Sequence, residues 1–157
     1  MSENAFSLDE TDRKILGILS TNGRINNLAL AEAVGLSPTP CARRVRRLEE
    51  TGIIESYRAV LNRNALGFGL SVFIAVTLDS HTPERFSAFE EAIKSFPEVV
   101  RASIVTGRAE DYMLQVLVSN MEAFEAFLLS KLNCIPGVTH VHSSFEMRSV
   151  IDRQPPA

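Results

Sequence analysis

Four arginines in five positions, Arg43, Arg44, Arg46 and Arg47, are broken only by Val45. The run is opened by Ser37-Pro38-Thr39-Pro40 and closed by Thr51-Gly52, and that punctuation marks a helix. Ser37 is an N-cap residue type, and Pro38 takes the first helical position, where its missing N–H costs nothing. Pro40 still falls in the first turn, whose N–H groups have no intrahelical acceptor. Leu36, just before the cap, is placed to pack on Cys41 as a hydrophobic staple. Cys41, Val45 and Leu48 recur at i, i+4 and i+7 and form the buried face. At about 100° per residue, Thr39, Arg43, Arg46 and Arg47 point away from that face and Arg44 lies on its flank. An arginine run is most often a solvated face paired with acids one turn away. Here Arg46 has Glu50, but Arg43 and Arg44 have no acid at i±4.

Two further helices are expected ahead of it. Asp9 caps the first, with acids in the opening turn where the helix dipole favours them. Leu8, Ile15, Leu16 and Leu19 form its stripe, and Asn22-Gly23 ends it. The second opens at Asn26, buries Leu30, Ala31 and Val34, and stops at Gly35. A short helix, a Gly-Leu-Ser turn and a second helix with a cationic outer face describe a helix-turn-helix.

Charge is unevenly spread. The chain carries −3, but residues 1–68 sum to +1 and residues 69–157 to −4. Affinity for double-stranded DNA must therefore come from a focused patch, not from the overall field. The alternative, an architectural DNA-binding protein with little sequence specificity and no effector response, would carry basic charge over its whole length.

Apolar residues make up 45% of the chain, enough to build cores. No apolar run approaches the length of a membrane span, and the N-terminus has no secretory pattern. The chain is expected to be cytoplasmic and nucleoid-associated, without a membrane partner. Cys41 and Cys134 are expected to be buried free thiols. The imidazoles are His81, His140 and His142, and no nucleophile motif or phosphate-binding glycine loop is present. His140 and His142 share a face of the last expected strand, but two histidines without a third ligand do not make a metal site. No catalytic residue, metal or cofactor is expected.

The second half alternates differently. Residues 53–61 read as an extended strand, and breaks at 62–64 and 67–69 mark a linker. Residues 70–78 form a β-rich apolar run. Thr82-Pro83-Glu84 starts a helix that buries Phe86, Phe89, Ile93 and Phe96. Strands are expected over 99–106 and 112–118, joined by Gly107-Arg108-Ala109-Glu110-Asp111. Asn120 caps a helix burying Phe124, Phe127, Leu128 and Leu132. After Pro136-Gly137, a final strand over 138–147 places Val141, Phe145 and Met147 on one face. The expected division is a helix-turn-helix domain over 1–52, strand and linker over 53–69, a second domain over 70–150, and a tail over 151–157. The order β-α-β-β-α-β is the ferredoxin-like arrangement, an α+β fold with helices on one sheet face. An uncovered apolar sheet face predicts dimerisation through it.

Together these residues resemble the Lrp/AsnC (leucine-responsive/asparagine regulator) family of transcription regulators. The likeness runs from residue 8 to about residue 150. It is most specific over residues 34–54, VGLSPTPCARRVRRLEETGII, and extends to Asp9-x-x-Asp12 followed by Ile15-Leu16 and to residues 62–67. Pro97-Glu98-Val99, Pro136-Gly137-Val138 and Ser143-Ser144-Phe145 carry it in the second domain. The resemblance implies a winged-type helix-turn-helix and an ACT-like domain for ligand binding and oligomerisation. It implies a homodimer that assembles to tetramers, octamers or larger discs, with an effector, usually an amino acid, bound between dimers near a Gly-x-x-Asp-Tyr turn. Here that turn is Thr106-Gly107-Arg108-Ala109-Glu110-Asp111-Tyr112, one residue longer between Gly and Asp.

The DNA-binding residues expected are Ser37, Thr39, Arg43, Arg44, Arg46, Arg47 and Arg58. Arg43 and Arg47 are assigned to base edges, with Thr39 near the helix start also in reach of a base. Ser37, Arg44, Arg46 and Arg58 are assigned to phosphates. The effector residues expected are Thr106, Gly107, Arg108, Ala109, Asp111 and Tyr112. Backbone N–H groups over 107–109 would take a carboxylate, and Asp111 an ammonium.

Overall fold

The computed structural model describes residues 7–107 and 109–151. The chain separates near residue 60 into two compact units.

The first unit is three helices. Helix α1 (Glu10–Thr21) starts on a capping box: the Asp12 N–H donates to Asp9 Oδ1 at 2.8 Å, and the Asp9 N–H donates to Asp12 Oδ2 at 3.3 Å. Helix α2 (Asn27–Ala33) is capped by Asn26, which accepts the Ala29 N–H. Gly35, at φ 72°, turns the chain in the left-handed region that a side chain would resist, and releases it toward α3 (Pro38–Glu50). Ser37 holds the N-cap position of α3 with extended backbone, but its hydroxyl makes no capping bond. Ile15, Leu30, Ala31, Cys41 and Leu48 form the core, with Leu8, Leu36, Val45, Ile53 and Ile54 packed around it.

The strand expected over 53–61 does not form. Ile53 and Ile54 close the helical core, the Ile54 N–H bonds the Leu48 carbonyl, and residues 55–62 follow with no regular element. A strand exists only as a member of a pair, and no described strand pairs with this segment. Tyr57 instead donates its hydroxyl to Glu49 of α3 at 2.9 Å.

The second unit follows β1 (Leu70–Leu78), α4 (Pro83–Lys94), β2 (Val99–Ile104), β3 (Tyr112–Val118), α5 (Met121–Ser130), a short 3-10 turn (Leu132–Cys134) and β4 (Val138–Phe145). The sheet is antiparallel throughout, in the order β2-β3-β1-β4. Alternation sets its two faces. Val72, Ile74, Val76, Leu114 and Val116 meet Phe89 and Ile93 of α4 and Phe124 and Phe127 of α5. The register puts Phe73 beside Gln115 and Ser144, and Ala75 beside Met113 and His142, on the face that no helix of this unit covers. His140, two residues from His142, shares that face.

Three expectations shift. Strand β2 ends at Ile104, two residues early, where the chain turns into the hairpin. Strand β4 ends at Phe145, so Met147 leaves the sheet and is 99% exposed. Cys41 is buried, and burial pushes its thiol pKa up, but Cys134 is exposed. Its side chain follows the 3-10 turn outward and donates to the Leu129 carbonyl.

Candidate nucleic-acid interface and sensor loop

Pro38 starts α3 with its backbone preset, and Cys41 and Leu48 anchor it, so the opposite side of the helix is presented outward. Thr39, Ala42, Arg43 and Arg46 there line an open groove with Asn27 and Pro38. Asn27 was not legible as a site residue. Its Nδ2 donates to the Pro38 carbonyl at 2.8 Å and locks α2 against the start of α3. Arg43 and Arg46 make no ion pair among the described residues.

Arg44 and Arg47 behave differently. Arg44 Nη1 donates to Asp9 Oδ2 at 2.7 Å and to Asp12 Oδ1 at 2.8 Å. Arg47 Nη2 donates to Asp12 Oδ2 at 2.6 Å. Acid partners that are missing along α3 are thus supplied by the cap of α1, some 35 residues earlier. The Asp12 N–H first, and then Arg44, hold the Asp9 carboxyl below the usual carboxylate range. In the sequence Asp9 and Asp12 stand as helix-start residues and as part of the family resemblance, with no role toward the arginines. Ser37 and Thr39 are exposed at the helix start, and Arg58 is exposed with its Nε 3.2 Å from Ser56 Oγ.

The hairpin between β2 and β3 is pinned to β1. The Asp111 N–H donates to the Val76 carbonyl, Thr77 Oγ1 donates to the Ala109 carbonyl at 3.3 Å, and the Leu78 N–H donates to Asp111 Oδ2 at 2.7 Å. That last bond lies two residues beyond the last β1–β3 pair, Val76 with Tyr112, where the carboxylate takes an amide that the ladder no longer reaches. His81 Nε2 lies 2.8 Å from Asp111 Oδ1, so both oxygens of Asp111 are engaged. Thr106, Gly107 and Ala109 are exposed, and Gly107 has φ 90°. Arg108 lies outside the described residues. Tyr112 turns away from the loop into the core, its ring tilted 43° against Phe89 at 4.7 Å between centroids and its hydroxyl on Glu90 at 2.8 Å. Burial first, and Glu90 next, push its phenol pKa far above the ordinary range. The alternation Tyr112, Leu114, Val116, Val118 shows that inward direction in the sequence itself. His81 was missed because nothing local links it to residue 111.

A helix-turn-helix with a cationic groove, followed by an ACT-like α/β unit, defines a DNA-binding regulator with a sensor-type second domain. Residues 71–156 match the Lrp/AsnC ligand binding domain, and residues 8–55 match a winged helix-turn-helix DNA-binding domain. The Bkd operon transcriptional regulator of Pseudomonas aeruginosa is 45% identical, over 95% of this chain and 97% of its own length. The leucine-responsive regulatory protein of Escherichia coli K12 is 41% identical, over 91% and 87%. A Neisseria meningitidis transcriptional regulator solved in complex with L-Met superposes with a TM-score of 0.89 at 37% identity, covering 94% of both chains. The chain belongs to the Lrp/AsnC family of transcriptional regulators, and it is a sequence-specific DNA-binding protein, not a catalyst. No helix among the described residues is long and apolar enough to cross a membrane.

Proposed function

We propose that the groove on α3 reads double-stranded DNA, with Arg43 and Thr39 at base edges and Arg46, Ser37 and Arg58 on phosphates. The observation that carries this is the pair Arg43 and Arg46, adjacent on one groove and without an ion pair among the described residues. A bidentate arginine on guanine supplies roughly 1–3 kcal/mol of discrimination. Arg47 joins the base-reading set while tied to Asp12, and Arg44 serves first to bind α3 to α1. A homodimer formed through the uncovered sheet face would present two such helices about 34–36 Å apart, so the site is an imperfect palindrome.

The effector is an amino acid, a reading supported by the L-Met complex of the Neisseria relative. Its carboxylate would meet backbone N–H groups over 107–109. Its ammonium would reach Asp111 by displacing His81 or the Leu78 N–H. Such a ligand would bias assembly between dimer and tetramer or octamer only by binding one state better.

Fluorescence anisotropy on the duplex upstream of the gene, against a scrambled duplex at fixed salt, tests the reading. Arg43→Ala should lower discrimination by about tenfold, and Arg46→Ala should weaken both duplexes alike. Identical behaviour of the two variants would remove the assignment. Equal wild-type binding to both duplexes would favour the architectural alternative.

A further inference from the structure

Among the described residues Asp12 is the one charged side chain with no solvent exposure. Its enclosure is complete in hydrogen bonds as well. Oδ1 accepts from Arg44, and Oδ2 accepts from Arg47 and from the Asp9 N–H. Arg44 is held a second time by Asp9, so the carboxylate is fixed from both sides.

We infer that Asp12 is a specificity-determining positioning residue, acting on DNA through Arg47. The inference rests on the DNA reading above. Arg47 stands on the outward side of α3 with 45% of its side chain exposed, yet its Nη2 is fixed to a buried oxygen. A guanidinium on an open helix face loses rotamer freedom when it docks on a base, and one already held loses less. The same carboxylate cancels positive charge beside the groove and so withholds attraction from phosphates of any sequence. Asp12 therefore raises discrimination while lowering general affinity. Charge alone predicts otherwise, because deleting an acid near the groove should strengthen binding to every duplex by the same factor.

The test begins with a duplex enriched from a random pool by the full wild-type chain. Anisotropy at one salt concentration then gives Kd on that duplex and on a scrambled one, for wild type, Asp12→Asn, Arg47→Ala and the double variant. Asp12→Asn should leave the scrambled Kd unchanged or tighter, and reduce the ratio of the two Kd values by about tenfold, the scale of one arginine–base contact. In the Arg47→Ala background, Asp12→Asn should have no further effect on the ratio. An unchanged ratio in a folded Asp12→Asn protein overturns the inference, as does a drop that persists undiminished without Arg47. Circular dichroism and a thermal melt establish folding. If Asp12→Asn is unfolded, Arg47→Lys replaces it: the charge stays, the planar fork is lost, and the ratio should fall in the same way. An unchanged ratio there equally overturns the role. A wild-type chain that enriches no duplex overturns the DNA reading itself, and does so before any variant is compared.

Discussion

Tyr57 and Tyr112 are the two tyrosines of the chain, and both hydroxyls end on glutamates. For Tyr57, burial first and Glu49 second push the phenol up to about 12. A phenol whose folded pKa is raised favours the fold while it is neutral. This contribution is whole below about pH 10, where the unfolded phenol also keeps its proton. It is lost as pH rises from there through about 12. Phenolate absorbance in a pH titration should show no step near pH 10 in the folded protein, and Tyr57→Phe should delete the lower of the two late steps. Side-chain partnerships of this kind were hard to read from the chain. Arg44 and Arg47 find Asp9 and Asp12 only after α1 and α3 have packed, and spacing along α3 says nothing of that. Tyr112 is the opposite case. Its inward direction was written in the period-two pattern of β3, but the turn it follows drew it into the candidate site.

Elements were far more legible, because their ends are decided locally. Asn26, Thr82 and Asn120 each sit at an N-cap and each accept an amide from the first turn. Proline at the start of α3 and α4, and the apolar stripes behind it, fixed those helices within a residue or two. Ser37 has the right type and the right place but no capping bond. The pair separates stability from recognition. Asn26→Ala should cost about 1 kcal/mol and lower the melting temperature of the helical unit. Ser37→Ala should change stability by less than about 0.5 kcal/mol yet weaken DNA binding if its hydroxyl meets a phosphate. A Ser37→Ala protein with an unchanged melt and unchanged Kd would remove Ser37 from the interface. The segment 53–61 misled for a physical reason: extended, β-branched sequence describes a strand that is willing, and pairing needs a second one.

For the whole molecule, the order of elements was enough to give the ferredoxin-like β-α-β-β-α-β arrangement, since short connections and one-sided helices leave few alternatives, and the strand order β2-β3-β1-β4 came with the structure. The uncovered sheet face predicts a dimer, but the size of any larger assembly was not legible, because contacts between dimers leave no covalent or periodic trace in one chain. The uncovered face carries Phe73, Ala75, Met113 and Gln115, with Phe73 39% exposed. Phe73→Asp should cost the isolated fold little and forbid a buried dimer contact, where an unpaired carboxylate is expensive. Light scattering after size exclusion should then report a monomer with an intact far-ultraviolet spectrum. An unchanged oligomer would place the interface elsewhere.

The end of the β1–β3 ladder at Val76 has a kinetic consequence for the amide two residues on. Most amides of β1 are held by neighbouring strands and exchange with solvent only when the sheet opens. The Leu78 amide is held by a side chain, Asp111 Oδ2, whose other oxygen faces His81. An ammonium that captures Asp111 would release that proton while the ladder stays closed. In deuterated water, exchange at Leu78 should therefore accelerate on adding the effector, while Val76 and Ile74, buried in the middle of the strand, keep their pace. A binding event at the hairpin would thus be timed by the loss of one amide proton on the strand beside it.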